Sequence, residues 1–156
     1  MSSQTIKMLS KLRKKLKKFK LDRPKEECGV FGVSDHEDSS ALVALGLHAL
    51  QHRGQEGCGI SSFDGKTFHL EKRQGLVGDH FTDSTTIKKL PGRSAIGHNR
   101  YSTTGEVSLR NVQPFFADLY SSGVSLAHNG NLTNAIELRN NLVKDGAIFR
   151  TTSDTE

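Results

Sequence analysis

At Cys28 the chain changes from one kind of polypeptide to another, and that break limits the fold more than any other feature. Residues 1–27 carry ten Lys/Arg against three Asp/Glu, whereas residues 28–156 carry twelve against fourteen. The sequence pI of about 9.3 therefore belongs to a basic leader, residues 1–27, attached to a near-neutral domain, residues 28–156. A basic pI spread over a whole domain would point to nucleic acid. Here it reports a tail whose one aromatic residue, Phe19, makes no stacking platform for bases.

Leu9, Leu12, Leu16 and Phe19 are spaced as one stripe of a helix, with lysines and arginines around the rest. Three readings of this leader stay open: a removable or disordered extension, a membrane-surface helix, and an organelle transit peptide. The third draws on the absence of any acid before Asp22, against a preference of such peptides for Arg over this Lys run.

From Cys28 onward the pattern is one of short apolar runs punctuated by glycine. Cys-Gly-Val-Phe-Gly-Val reads as a strand. The switch from polar to apolar between Asp38 and Ala41 predicts a helix capped by Ser39 or Ser40 and running to about His52. Runs at 57–63 and 67–73 bracket Asp64-Gly65, a strong hairpin signal. Runs at 94–99 and 124–128 read as buried strands. Apolar residues at 135, 136, 138, 142 and 143 predict a helix from Asn134 to Lys144, ended by Gly146. Strands outnumber helices, and the helices fall between hairpins, which predicts an α+β fold with helices packed on antiparallel sheet. Ser153-Asp154-Thr155-Glu156 has the form of a capping box, which announces a further helix just where the chain stops. That reads as a fragment or a truncated product.

Two cysteines, Cys28 and Cys58, make no disulfide framework, and no secretion signal is visible. The longest apolar stretch, Ala41 to Leu50, is interrupted by Gly46 and His48 and is too short to span a bilayer. The expectation is a cytoplasmic protein with no membrane span and free thiols. Cys58, in an apolar strand, reads as core. His48 and His52 sit four apart on the predicted helix but lack a third ligand at suitable spacing, so no metal site is expected.

Cys28 is the candidate with chemistry. A Cys before Gly at a strand start is ordinarily a buried structural thiol, but this one stands at the border between leader and domain. Cutting the Glu27–Cys28 bond would place an α-amine, with a reference pKa of about 7.7–8.0, on the same residue as the thiol. Near neutral pH a fraction of such amines is unprotonated and can act as the base that activates the nucleophile. An uncut amide nitrogen cannot. Other segments suit a small amino-acid substrate. Arg100, followed by Ser102 and Thr103 hydroxyls, offers a guanidinium that grips a carboxylate through two parallel hydrogen bonds. The amide of Asn129 with the backbone N–H of Gly130 makes an oxyanion hole for acyl transfer. Asp154 supplies a fixed carboxylate for an ammonium. Each also has a plain structural reading: Arg100 as an ion-pair partner, Asn129-Gly130 as a turn, Asp154 as a first-turn helix acid.

Five blocks occur in order: Cys-Gly-Val-Phe-Gly (28–32), Leu-Gln-His-Arg-Gly-Gln-Glu (50–56), Gly-His-Asn-Arg-Tyr-Ser-Thr-Thr-Gly (97–105), Leu-Ala-His-Asn-Gly-Asn-Leu-Thr-Asn (126–134) and Thr-Thr-Ser-Asp-Thr-Glu (151–156). Together they resemble the N-terminal-nucleophile (class II) glutaminase domain of the glutamine phosphoribosylpyrophosphate amidotransferase family, over nearly all of 28–156. Leu-Gln-His-Arg-Gly-Gln and Tyr101 separate the chain from the sister family that makes glucosamine phosphate, where a Trp usually follows the matching Arg. The resemblance implies a four-layer α-β-β-α sandwich, incomplete at the C-terminus. It implies Cys28 as the nucleophile of a glutamyl thioester, and Asn129 and Gly130 as oxyanion donors. It further implies Arg100 and Thr103 at the glutamine carboxylate, Asp154 at its α-amine, and Arg53 in support of the nucleophile loop.

The same resemblance implies that the ammonia released serves a phosphoribosyltransferase domain that makes phosphoribosylamine for purine synthesis. That domain is not in this sequence, which has no acidic-pair phosphoribosyl loop. With it would come Mg2+ and, in some members, an iron–sulfur cluster; no cofactor is expected in residues 28–156, and family members can be homo-oligomers. The chain alone is therefore expected to be poorly stable and weakly active or inactive. The alternative function is a non-catalytic remnant, or a module that binds glutamine or a partner without turnover.

Overall fold

A computed structural model describes residues 27–101 and 108–156. The basic leader, apart from Glu27, and Thr103 lie outside the described residues, so the three leader readings and the Thr103 assignment are not addressed by it.

The domain is built on a four-stranded antiparallel sheet in the order β1-β4-β2-β3, formed by β1 (Gly29–Val33), β2 (Gly57–Phe63), β3 (Phe68–Gln74) and β4 (Ser94–Arg100). The β2–β3 hairpin turns at Asp64-Gly65, as its sequence predicts. Gly65 takes a φ of +95°, and Asp64 Oδ1 accepts from the amides of Lys66 and Thr67, both at 2.8 Å. Helix α1 (Ser39–Ala49) covers one face of the sheet. Val43, Ala44 and Leu47 on the helix and Cys58, Ile60 and Ala95 on the sheet form the buried core, joined by Val77 of the one-turn α2 (Val77–His80), Phe81 and Leu90. Full burial of each larger aliphatic side chain stabilises by about 1.5–3 kcal/mol. A Cβ at Gly97 would sit 2.6 Å from Val43 and 2.7 Å from Leu47, so this close approach of helix to sheet depends on glycine.

The opposite face of the sheet carries the hairpin β5 (Phe115–Asp118) and β6 (Gly123–Leu126), seated through Phe68 and Phe116, whose ring centroids are 5.3 Å apart. A short α3 (Ser84–Ile87) lies before β4, and α4 (Ala135–Lys144) follows β6. Helix α4 ends as Gly146 predicts: Ala147 N–H bonds the Leu142 carbonyl at 2.9 Å, and Gly146 N–H bonds that of Val143 at 3.1 Å. Arg139 ties α4 to the C-terminal segment by lying 4.2 Å over the Phe149 ring and donating to the Thr151 carbonyl. Helix, sheet, second sheet and a further helix give the α+β class expected from the sequence.

Three local expectations need correction. Ser39 and Ser40 do not cap α1. They lie inside its first turn, buried, and their hydroxyls donate to the carbonyls of Gly92 at 2.9 Å and Leu90 at 2.7 Å, fastening the helix to the loop before β4. The helix stops at Ala49, three residues short of His52, because residues 51–53 tighten into a 3-10 turn. At 153–156 the reciprocal bonds of a capping box are not made. Ser153 Oγ accepts from Thr155 N–H, but the Glu156 carboxylate turns to the amides of Arg150 and Thr151, both at 2.7 Å.

Candidate active site

The residues singled out in the sequence converge on the end of the sheet where β1 begins and β4 finishes. Cys28 immediately precedes β1, and the register Gly29↔Asn99 sets it beside Arg100 and Tyr101. Three groups position it. Its N–H donates to the Arg53 carbonyl at 2.8 Å, and Arg53 Nε donates to its carbonyl at 2.7 Å. Its Sγ accepts from the Tyr101 N–H at 3.4 Å and lies 3.6 Å from the Tyr101 carbonyl. Arg53 thus grips the nucleophile segment by its main chain. Gly54 beside it is needed for a related reason: a Cβ there would come within 2.7 Å of the Arg100 main chain.

Asn129 reaches the same point from the loop after β6, its Nδ2 donating to the Cys28 carbonyl at 3.4 Å. Gly130 lines the cleft that Cys28 faces, together with His98, Arg100, Gln113, His128 and Asp154, a space of about 1120 Å³. Arg100 is held by one bond from Nη1 to the Asn111 carbonyl at 2.6 Å, while its buried Nε has no hydrogen-bond partner among the described residues. No ion pair engages Arg100 among the described residues, and its side chain lines the cleft. Asp154 also lines the cleft. Its Oδ2 accepts from Leu132 N–H at 2.7 Å, which fixes the loop after Gly130.

Electrostatics describe a resting thiol. Partial burial pushes the Cys28 thiol above its ordinary value, opposed by the Tyr101 N–H and the positive charge of Arg100. Cys58 is fully buried in the core as expected, its thiol pushed up to about 12 chiefly by burial. His98 is pulled down to about 4, first by burial and then by Arg100.

The sequence did not single out His98, Gln113 or the Tyr101 main chain. Gln113 joins several parts of the site: Oε1 accepts from His128 N–H at 2.6 Å and Nε2 donates to Thr155 Oγ1 at 3.1 Å. No sequence pattern marks Gln113, because its partners lie 15 and 42 residues away. Among the described residues no three His, Cys, Asp or Glu side chains are grouped to share a metal. No helix among the described residues is long and apolar enough to cross a membrane.

Comparison with known proteins finds relatives over most of the chain. Residues 58–156 match the family described as a glutamine amidotransferase domain. The chain is 62% identical over 131 residues to an amidophosphoribosyltransferase of Rhizobium etli, covering 84% of this chain and 26% of that protein. It is 49% identical over 131 residues to one from Lacticaseibacillus casei, covering 84% and 68%. Among solved structures, the glutamine phosphoribosylpyrophosphate amidotransferase of B. subtilis superposes with a TM-score of 0.74 at 44% identity, covering 81% of this chain and 27% of that one. The chain spans about a quarter of the length of the Rhizobium etli relative.

Proposed function

Since the chain belongs to the glutamine amidotransferase domain family, on the amidophosphoribosyltransferase branch with its N-terminal-nucleophile hydrolase fold, we propose that residues 28–156 hydrolyse glutamine to glutamate and ammonia through a thioester on Cys28. The observation that carries the reading is the seating of Cys28. Arg53, Tyr101 and Asn129, from three separate segments, all bond this one residue at the mouth of the cleft.

In this reading the α-amine of an N-terminal Cys28 takes the thiol proton and the thiolate attacks the side-chain amide carbon of glutamine. Asn129 Nδ2 and the Gly130 N–H hold the oxyanion. The amine's proton passes to the departing nitrogen, ammonia leaves, and water cleaves the thioester. Arg100 and Thr103 hold the substrate carboxylate and Asp154 its ammonium. Removal of the leader is part of the proposal. Cys28 has a φ of +64°, the left-handed region, which costs a non-glycine residue of order 1–2 kcal/mol. Without a preceding carbonyl that strain disappears. In a complete amidophosphoribosyltransferase the ammonia would be consumed in making phosphoribosylamine for purine synthesis.

Glutamine-mimicking diazoketone is the test. The chain produced with Cys28 as its first residue should gain one adduct, mapped to Cys28, and the leader-bearing chain should gain none. A folded Cys28-first chain that stays unlabelled would contradict the reading.

A second reading draws on a different observation. Helix α4 buries none of its side chains, and Val143 and Ile148 are 53% and 87% exposed. That surface favours a module that binds a partner, with turnover dependent on the partner or absent.

A further inference from the structure

His98 stands two residues before Arg100 on β4, so the two side chains project from the same face of the sheet. Both line the cleft that Cys28 faces. His98 is 1% exposed, yet neither ring nitrogen has a hydrogen-bond partner among the described residues. Leaving such a group buried and unpaired is destabilising, so a core role alone is a poor explanation for histidine at this position. Burial and the neighbouring guanidinium keep the ring neutral, with one N–H to donate.

His128 lines the same cleft, and its backbone acts on the ring in the direction that favours the protonated form, as a nearby carbonyl oxygen does, though no hydrogen bond joins the two. His128 is the root of the oxyanion loop. Its N–H is held by Gln113 Oε1 at 2.6 Å, and its own ring packs so closely on Gly130 that a Cβ there would lie 2.7 Å from Nε2. A pull on the His128 carbonyl is therefore transmitted to Asn129 and Gly130, the next two residues.

We propose that His98 is a positioning residue for acyl transfer: its ring N–H closes on the His128 carbonyl and sets the Asn129 and Gly130 donors on the oxyanion. The link runs from β4, which carries the substrate clamp Arg100, to the loop that carries the oxyanion hole. The inference rests on the glutaminase reading above.

The test is glutamine hydrolysis by the Cys28-first chain bearing His98→Leu, His98→Asn or His98→Gln, the last two carrying an N–H near one or the other ring-nitrogen position. Loss of the link should lower kcat about 10–100-fold in His98→Leu with KM within about threefold, because the oxyanion donors act in the transition state. At least one amide variant should recover to within about fivefold of the parent. An unchanged kcat in His98→Leu, or equal losses in all three variants with a lowered Tm and no rescue, would overturn the proposal. Should the parent release no ammonia and match Cys28→Ala, it is the glutaminase reading that fails. Amide NMR then still decides the link. The Asn129 and Gly130 resonances should move in His98→Leu and stay in the rescuing amide variant, and unmoved resonances in His98→Leu would overturn it.

Discussion

Arg53 and Cys28 hold each other twice, Cys28 N–H to the Arg53 carbonyl at 2.8 Å and Arg53 Nε to the Cys28 carbonyl at 2.7 Å. The pair fixes the main chain on both sides of the sulfur while leaving the side chain free to face the cleft. Arg53→Ala removes the charged half of this clasp. Hydrogen bonds to charged groups contribute about 1.5–3 kcal/mol. The variant should lose stability of that order in denaturant unfolding, and kcat for glutamine should fall about 10-fold or more through misplacement of the nucleophile.

Arg100 and Asp154 face one cleft from opposite signs of charge and should govern substrate affinity. Arg100→Lys keeps the charge but loses the planar fork, and KM for glutamine should rise about 100-fold with kcat changed far less. Asp154→Asn retains an oxygen to accept from Leu132 N–H, so the loop keeps its bond while the charge is lost. Its KM should rise about 10-fold or more with an unchanged Tm. Steady-state kinetics on the two variants check both.

Acid should act on this fold through His98. Its folded value of about 4 lies below its ordinary value of 6.5, so the unfolded chain binds the extra proton first. The associated stability is fully present above pH 6.5, is lost progressively as pH falls toward 4, and changes no further below that. A difference of that size corresponds to roughly 3 kcal/mol. Urea unfolding at a series of pH values should show a steeper loss between pH 6.5 and 4 in the parent than in His98→Asn. Parallel curves would contradict this.

Much of the scaffold could be read from short-range patterns. Asp64-Gly65 and Gly146 act through bonds to residues two to five positions away, and the structure uses both as their chemistry dictates. Cys28, Arg53, Arg100, Gly130 and Asp154 were placed at the site by ordered motifs, and the fold brings them to one end of the sheet. What stayed illegible depends on contacts made at long range. Ser39 and Ser40 look like caps until Gly92 and Leu90 arrive from fifty residues away. The polar tail at 153–156 looks like a capping box until Glu156 folds back on Arg150 and Thr151. His98 sits in a strand with no periodic signal to separate it from core, and its interest comes only from what the tertiary fold leaves beside it.

Exposed apolar surface on α4 and the segment after it should make the domain associate. Val143→Lys combined with Ile148→Lys should reduce binding of a hydrophobic dye and lower concentration-dependent association in sedimentation velocity. An unaltered association constant would show that another surface drives self-contact.

The central claim concerns the chemistry of one sulfur, and acid-quenched intact mass spectrometry during turnover addresses it directly. The Cys28-first chain mixed with glutamine should carry one glutamyl group, released by hydroxylamine and absent from Cys28→Ser and from the chain that keeps its leader. Ammonia release at parental rates from Cys28→Ser, or from the leader-bearing chain, would contradict the account.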